Sequence, residues 1–405
     1  MVKVRPFAAL RPAPGLAAEV AAPPYDVVNS EEAKALAGPK SLLHITKAEI
    51  DFEPVPEDSD PRVYTKAVEN FALWQQNGWL VRDPKPCYYL YSQKMGERTQ
   101  YGFVLCADTE DYKSGTIKKH ELTRKDKEDD RMVHVKNQKA NIEPVFFAFH
   151  DNARLAQIIS EVSSSAPEYR FTDENGFEHA FWTLDSDPLI EEITGVFENE
   201  VDAFYIADGH HRTAAAARVS EVVDGEEARR FLAVCFPESQ LRIMDYNRVV
   251  RDLAGLEPTQ LIARIGENFD IVCKGSEEPY SPEERHYFSM YLEGKWYSLK
   301  ARPGSWDSSS AIASLDVSIL SDLVLDRILG IKDLRRDKRI DFVGGIRGLG
   351  ELKRRVDSGE MKVAFALYPV SLSELMRIAD EGSIMPPKTT WFEPKLRSGL
   401  AIHTF

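Results

Sequence analysis

The sequence predicts an α+β protein with a mixed α/β arrangement. Strand-like runs and helix-like periodic segments alternate along the 405 residues, without the regular order of a doubly wound sheet. A chain of this length is large enough for two domains. Hydrophobic residues make up 43% and charged residues 29% of the chain, a composition that is ordinary for a globular protein.

The N-terminal elements follow from capping and periodicity. Residues 1–60 are rich in proline and contain one short helix near Ser30 to Ala37. Asp60 then caps a stronger helix that has Pro61 at its first position and stops at Gly78. Further strands are predicted at 87–94 and 99–108, joined as a hairpin, at 143–149 and at 231–236, with a hairpin over 169–182 and a helix at 153–162. The charged stretch 118–140 is interpreted as a solvated helix with paired charges.

A change of composition around Asp252 to Leu261 marks the predicted domain boundary, and a new helix begins there after Pro258. We therefore divide the chain into a domain over 1–255 and a C-terminal α/β domain over 256–405. The second part has predicted strands at 286–292, 295–300, 361–367 and 399–403, and predicted helices at 314–329 and 371–379.

Charge and cysteine content exclude several function classes. The net charge of −14 argues against a surface that binds nucleic acid by neutralising phosphates. No apolar run approaches the 18 residues of a membrane span, and residues 1–7 lack the apolar core of a signal peptide. The four cysteines are scattered without a CxxC pair, so we expect reduced thiols in a cytoplasmic protein.

The segment 201–218, VDAFYIADGHHRTAAAAR, is the strongest functional signal. The apolar run 203–207 predicts a strand buried on both faces, which ends at Asp208 and turns at Gly209 into a helix that opens with His210, His211 and Arg212. A helix N-terminus favours anions, and a guanidinium binds phosphate oxygens in a bidentate manner. The pattern therefore predicts a phosphate site.

A structural explanation competes with this prediction. Asp208 is a good helix cap and Gly209 a good turn residue, so both are explained without a ligand. Cations at a helix N-terminus, however, oppose the dipole at a cost of up to about 1 kcal/mol. His210, His211 and Arg212 are explained better when an anion binds beside them.

Three further segments are weaker candidates. His120 and Glu121 bring an imidazole and a carboxylate next to hydroxyl groups, but no second His follows at the zinc-protease spacing. The glycine-rich run 343–350 follows a strand and precedes a helix, yet it matches no phosphate-loop spacing and is interpreted as a flexible turn. Lys388 lies on a stiff loop after two prolines, where it could reach a ligand.

Taken together and in order, these segments identify a family. The chain resembles the domain-of-unknown-function-1015 family over essentially its full length. The resemblance rests on 4–7 (VRPF), 23–27 (PPYDV), 41–45 (SLLHI), 117–123 (IKKHELT), 130–131 (DR), the ADGHHRTAAA block, 246–250 (YNRVV) and 385–400 (MPPKTTWFEPKLRSGL).

The DGHHR block also resembles the phosphate-binding motif of the ParB/sulfiredoxin-like superfamily, to which archaeal ADP-dependent kinases of free serine belong. The resemblance implies a ParB/sulfiredoxin-like core in the first domain and a nucleotide-dependent small-molecule kinase that phosphorylates the hydroxyl of free L-serine. ADP or ATP with Mg²⁺ is then the expected cofactor, without a nucleic-acid or membrane partner. This chain is considerably longer than a minimal serine kinase.

This hypothesis assigns candidate roles to individual residues. Phosphoryl transfer needs positioning and charge neutralisation, and Mg²⁺ takes one or two carboxylates. The cofactor-binding candidates are Gly209, His210, His211, Arg212, Thr213 and Lys388. The catalytic candidates are Asp208, His210, His211, Glu121 and His120, with Asp208 also the metal ligand and Asp26 a further candidate base. Two alternatives stay open: a nucleotide-binding switch without turnover, and a metal-dependent phosphatase or nuclease that uses the His pair.

Overall fold

A computed structural model gives the fold of residues 1–405. The helices are α1 Ala17–Val20, α2 Ser30–Leu36, α3 Leu43–Thr46, α4 Pro61–Gln76, α5 Thr109–Ser114, α6 Lys125–Gln138, α7 Ala153–Ser163, α8 Asp187–Glu200, α9 His210–Val219, α10 Pro258–Ile265, α11 Asp316–Leu320, α12 Gly348–Asp357 and α13 Leu372–Asp380. The strands are β1 Val4–Arg5, β2 Leu10–Pro12, β3 Leu80–Arg82, β4 Tyr88–Met95, β5 Arg98–Asp108, β6 Ile117–Lys118, β7 Ala140–Asn141, β8 Val145–Phe149, β9 Tyr169–Thr172, β10 Glu178–Leu184, β11 Phe204–Asp208, β12 Arg230–Pro237, β13 Ile243–Met244, β14 Tyr246–Val250, β15 Phe269–Gly275, β16 Tyr287–Leu292, β17 Lys295–Ala301, β18 Ile340–Gly344, β19 Val363–Leu367, β20 Trp391–Phe392 and β21 His403–Thr404. The predicted mixed α+β class is confirmed.

The chain forms two compact units. The first unit comprises Met1–Leu241 together with Pro394–Phe405, and the second unit comprises Arg242–Glu393. The C-terminal segment joins the first unit through main-chain pairing of Ser398 with Ala22, Ile402 with Leu10 and His403 with Asn141. The sequence predicted one boundary, near residue 255. The return of the C-terminal segment to the first unit was not predicted, because composition carries no signal for such long-range pairing.

A nine-stranded sheet organises the first unit, in the order β6-β11-β8-β12-β5-β4-β10-β9, with β1 on β5. Two neighbouring pairs are parallel, β11 with β6 and β12 with β8, and the other pairs are antiparallel. The central strands β8 and β12 are apolar runs buried along their length, as expected for strands covered on both faces. The signature strand β11 pairs with β8 on one side and with the edge strand β6 on the other.

The second unit is built on a six-stranded sheet in the order β15-β17-β16-β19-β14-β18, in which every pair is antiparallel. Its glycine-rich run is a packed turn. A Cβ atom on Gly344 would lie 2.6 Å from the Trp391 ring, and one on Gly345 would lie 2.1 Å from Asp245 Oδ1. Gly344 and Gly345 are therefore required by close packing, whereas a Cβ atom on Gly348 or Gly350 would meet no atom within 4 Å.

Three predicted elements differ from the structure. The helix expected over 314–329 is shorter, since α11 covers Asp316–Leu320 and continues as π-helix over Ser321–Asp326. The strand expected over 399–403 is reduced to β21, because the segment crosses several partners through isolated bridges. The charged stretch does form a helix, α6, but its Arg131 and His134 are buried rather than solvated.

All four cysteines are free thiols, three of them buried. None of the helices combines the length and the apolar character needed to cross a bilayer.

Candidate functional site

The signature segment folds into a strand, a glycine turn and a helix, as predicted. Gly209 caps α9 in the left-handed region, with φ of 93°, which side chains other than glycine rarely adopt. A Cβ atom there would also lie 3.2 Å from Arg212 Nε and 3.3 Å from Val145 Cγ1. The alanines that follow, 214 to 217, are buried, so α9 packs closely against its surroundings.

Asp208 ends β11 at a β-bulge and is a paired anion. Its Oδ1 accepts a hydrogen bond from the Gly209 N–H at 2.8 Å, and its Oδ2 lies 3.3 Å from Lys395 Nζ and 3.9 Å from Arg212 Nη2. Burial alone would raise the pKa of Asp208, but Lys395 and Arg212 outweigh it and lower the pKa to about 2. Asp208 is therefore ionised throughout the neutral range.

Arg212 is buried beneath the start of α9, with 8% of its surface exposed. Its guanidinium donates to the carbonyl oxygen of Pro144 and lies among acidic groups. Burial opposes its charge, but Asp26, Asp208 and Glu143 raise the pKa of the group overall. A cavity of about 30 Å³ on this side also borders Arg131 and Glu143. This volume is on the scale of one or two water molecules.

His120 and His210 form a buried pair of rings, although they come from different segments. Their centroids are 4.6 Å apart and the ring planes are nearly perpendicular. Burial lowers the pKa of His120 to about 4 and that of His210 well below its ordinary value. Both imidazoles are therefore neutral at pH 7. The Nε2 atom of His210 is buried without a hydrogen-bond partner.

His211 and Thr213 complete the first turns of α9. His211 is half-buried, and its Nε2 accepts a hydrogen bond from the Arg124 N–H at 3.1 Å, so the proton of the neutral ring lies on Nδ1. Burial lowers the pKa of His211. The Thr213 hydroxyl donates to the Gly209 carbonyl at 3.0 Å and is buried, so this residue stabilises the turn from inside.

A second network links two other family segments to this site. The Tyr25 N–H donates to Glu143 Oε1 at 3.0 Å, and the Arg131 guanidinium lies 3.8 Å above the centre of the Tyr25 ring. Arg131 is ion-paired with Asp130 at 2.7 Å and lies 3.5 Å from Glu143 Oε2. Burial raises the pKa of Glu143, against the opposing effect of Arg212 and Arg131.

The structure brings together most of the predicted residues of the first unit. Asp208, His210, His211 and Arg212 share one turn, and His120 packs on His210. Glu121 follows His120 and is half-buried, and Asp26 is exposed beside the Tyr25 network. Lys388 belongs to the second unit.

Sequence reasoning missed Lys395, Glu143 and the role of Arg131. Lys395 lies in the same C-terminal motif as Lys388, seven positions further on. The signal that could have found it is the motif itself, since a lysine within a family segment is a candidate for a charge in the site.

An Mg²⁺ ion at this site would depend on its acidic groups. This ion needs octahedral oxygen coordination and takes one or two carboxylates when phosphates supply other ligands. No group of three or more His, Cys, Asp or Glu side chains is arranged to hold a metal ion. Asp208 is a single carboxylate already paired with Lys395, so these residues do not fit a protein cage for Mg²⁺.

The fold and the site define a mixed α/β protein whose distinguishing element is a strand–glycine–helix unit with an ionised aspartate and buried neutral histidines. The chain belongs to the family described as "Protein of unknown function (DUF1015)", whose model matches residues 4–318. No curated protein matches the chain.

Several solved structures are similar at low identity. A conserved hypothetical protein from Pyrococcus furiosus is 14% identical, with a TM-score of 0.36, over 74% of this chain and 94% of its own. A free serine kinase in complex with AMP is 14% identical, with a TM-score of 0.36, over 74% and 91%. A C-terminally truncated SbnI from Staphylococcus aureus is 10% identical, with a TM-score of 0.33, over 74% and 87%. Similarities of this size do not assign a function, which has to be inferred from the chain's own residues.

Proposed function

We propose that the protein is a nucleotide-dependent small-molecule kinase whose phosphate site is the N-terminus of α9. The observation that carries the proposal is the convergence, at this helix end, of Lys395, the ionised Asp208 and two buried neutral histidines. The first-turn N–H groups of a helix have no carbonyl partner within the helix and carry the positive end of the dipole. A phosphate beside them gains hydrogen bonds and charge neutralisation.

Each residue has a role in this proposal. The N–H groups of His210, His211 and Arg212 hold phosphate oxygens, and Lys395 adds a positive charge at the same end of the helix. Arg212 contributes its positive charge from beneath the start of the helix and does not bind the phosphate directly, since its guanidinium is engaged by Pro144 and Asp208. Thr213 and Gly209 maintain the turn. Mg²⁺ enters only as the companion of the nucleotide.

The acceptor is a small-molecule hydroxyl, and free L-serine is the one that the resemblance of the signature residues implies. In the transfer, the hydroxyl oxygen forms a bond to phosphorus while the bond to the nucleotide oxygen breaks, and the hydroxyl proton passes to a base. Among the predicted bases, His120 is buried and its lowered pKa makes it a weak proton acceptor. Glu121 and Asp26 are more accessible and are the better candidates.

The proposal is tested with purified protein, Mg²⁺, a panel of ADP, ATP and GTP, and free L-serine, with phosphoserine measured by mass spectrometry. The informative variant is Lys395→Met, because it removes a charge of the site while the helix and its buried residues remain. Lys136→Met removes an exposed lysine of α6 in the same unit and is the matched control. We expect a loss of turnover of at least tenfold in Lys395→Met and none in Lys136→Met.

Two results would contradict this assignment. Equal turnover in both lysine variants would remove the phosphate site from the α9 N-terminus. Nucleotide binding without any phosphorylated product, across a panel of small hydroxyl compounds, would favour the non-catalytic switch over the kinase.

A further inference from the structure

The strand β14 of the second unit carries a buried arginine that lacks a counter-ion. Arg248 lies in the family segment 246–250 and is fully buried. Its guanidinium donates to the carbonyl oxygens of Tyr246 and, at 2.9 Å, of Lys388. Its Nε atom has no hydrogen-bond partner. No carboxylate pairs with it, and Asp245, near it in the chain, accepts a hydrogen bond from Asn247 instead.

An arrangement of this kind is energetically unfavourable on its own. A buried charge is costly unless it is paired, and carbonyl dipoles compensate only part of that cost. Burial lowers the pKa of Arg248 to about 10, so the group still carries its charge at neutral pH. A bound anion near this charge would provide the missing compensation.

The loop that Arg248 supports presents a second unpaired cation. Lys388 has φ of 59°, a left-handed conformation that is uncommon for residues other than glycine and is found where the surroundings enforce it. The loop is held from inside, since Arg248 binds the Lys388 carbonyl and the Thr389 hydroxyl donates to the Pro386 carbonyl at 2.6 Å. The Lys388 side chain is exposed, and its ammonium group lies 5.7 Å from the centre of the Tyr246 ring without an acidic partner.

We propose that the Lys388 loop of the second unit is a binding site for a phosphate group of a small molecule, with Lys388 as the contacting residue and Arg248 as the positioning residue beneath it. Phosphate matches two neighbouring positive charges better than a carboxylate does, because it carries up to two negative charges near neutral pH. Lysine binds phosphate as a point charge and does not need bidentate geometry. This inference goes beyond the proposed kinase activity and does not rest on it.

Pyrophosphate is the probe, and its affinity for the full chain is measured by isothermal titration calorimetry at low salt. We expect Lys388→Met to weaken binding at least tenfold. Lys332→Met removes an exposed lysine of the same unit and should change the affinity less than twofold. Absence of binding to the wild type, or equal weakening in both variants, would overturn the proposal.

The same titration in Lys395→Met separates this site from the one on α9. Binding that is lost in Lys388→Met and kept in Lys395→Met supports the site in the second unit, even if the kinase assay fails. Binding that is lost only in Lys395→Met supports the α9 site and overturns this one.

Arg248→Met tests the positioning role. An electrostatic role predicts weaker pyrophosphate binding, by fivefold or more, in a variant that is still folded at the temperature of the titration. A merely structural role predicts a lower Tm with pyrophosphate affinity retained, which would overturn the role of Arg248.

Titration with ADP and with adenosine then identifies the source of the phosphate. Lys388-dependent binding of ADP with competition by adenosine supports a nucleotide, and binding without adenosine competition supports another phosphate ester or inorganic phosphate.

Discussion

Arg212 in the first unit and Arg248 in the second are both buried guanidinium groups, and they differ in what surrounds them. Arg212 lies among Asp26, Asp208 and Glu143, which raise its pKa. Arg248 has carbonyl oxygens as partners, and burial lowers its pKa to about 10. Burial of a cation is therefore not itself a sign of a ligand site. A neutralised arginine belongs to the framework of its unit, whereas an arginine without a counter-ion leaves a charge for something else to use.

The largest expected effect follows directly from this difference. Arg212→Ala leaves Asp208 and Glu143 without their shared cation, so we expect the free energy of unfolding to fall by about 3–5 kcal/mol. Arg248→Met removes an unpaired charge and keeps a side chain of similar volume, but it leaves the carbonyl oxygens of Tyr246 and Lys388 without this donor. We therefore expect a loss of about 1–2 kcal/mol, smaller than that of Arg212→Ala. Urea denaturation of both variants measures the two changes.

Equal losses of stability in the two arginine variants would contradict this distinction between a neutralised and an unpaired arginine. Such a result would mean that the carbonyl oxygens of Tyr246 and Lys388 stabilise Arg248 as effectively as carboxylates stabilise Arg212. The case for an anion at the Lys388 loop would then lose its energetic basis.

The buried histidines of the first unit predict a dependence of stability on pH. The pKa of His120 is lowered to about 4 by burial, against the opposing effect of Asp208 and the backbone of Ile206. The unfolded chain therefore binds a proton more readily than the folded chain, and stability falls as pH drops from about 6.5 towards 4. At pH 5 this one histidine lowers the free energy of unfolding by about 2 kcal/mol relative to neutral pH.

His120→Asn should remove that contribution, which is measured as the difference in unfolding free energy between pH 7.5 and pH 5. His150→Gln changes an exposed histidine, with 59% of its side chain accessible, and serves as the control. A wild type and a His120→Asn variant with the same pH dependence would show that the His120 ring is not held neutral.

A smaller effect is expected from the charge beside Asp208. Lys395 is the first of the groups that lower the pKa of Asp208 to about 2. Because this folded-state pKa lies below the ordinary value, the stabilisation is complete above about pH 4 and is lost as pH falls through 2. Lys395→Met should raise the pKa of Asp208 and cost about 1 kcal/mol at neutral pH. Titration of Asp208 by NMR in the two proteins measures the shift, and an unchanged pKa would contradict the ion pair.

These contrasts also indicate what could be predicted from the sequence. The strand, the glycine turn and the helix around Asp208 were predictable because they are encoded within a dozen consecutive residues. The direction of the Arg212 side chain was not, since it depends on Pro144 and Glu143 from another part of the chain. Lys395 was likewise missed, because its approach to Asp208 follows from the return of the C-terminal segment to the first unit.

The helix α6 contains both an exposed ion pair and a buried one, and the smallest effect on stability is expected from the exposed pair. Lys125 pairs with Asp129 one turn away, with 81% of the lysine side chain and 43% of the aspartate side chain exposed. Exposed pairs of this kind contribute about 0.3–0.5 kcal/mol, so Lys125→Ala should change the unfolding free energy by no more than that. Arg131, in the same charged stretch, is buried against Asp130, Glu143 and the Tyr25 ring, so Arg131→Ala should cost several times more. Urea denaturation of the two variants measures the ratio. Equal losses would mean that the charge pattern of the sequence, rather than burial, decides what each residue of this helix contributes.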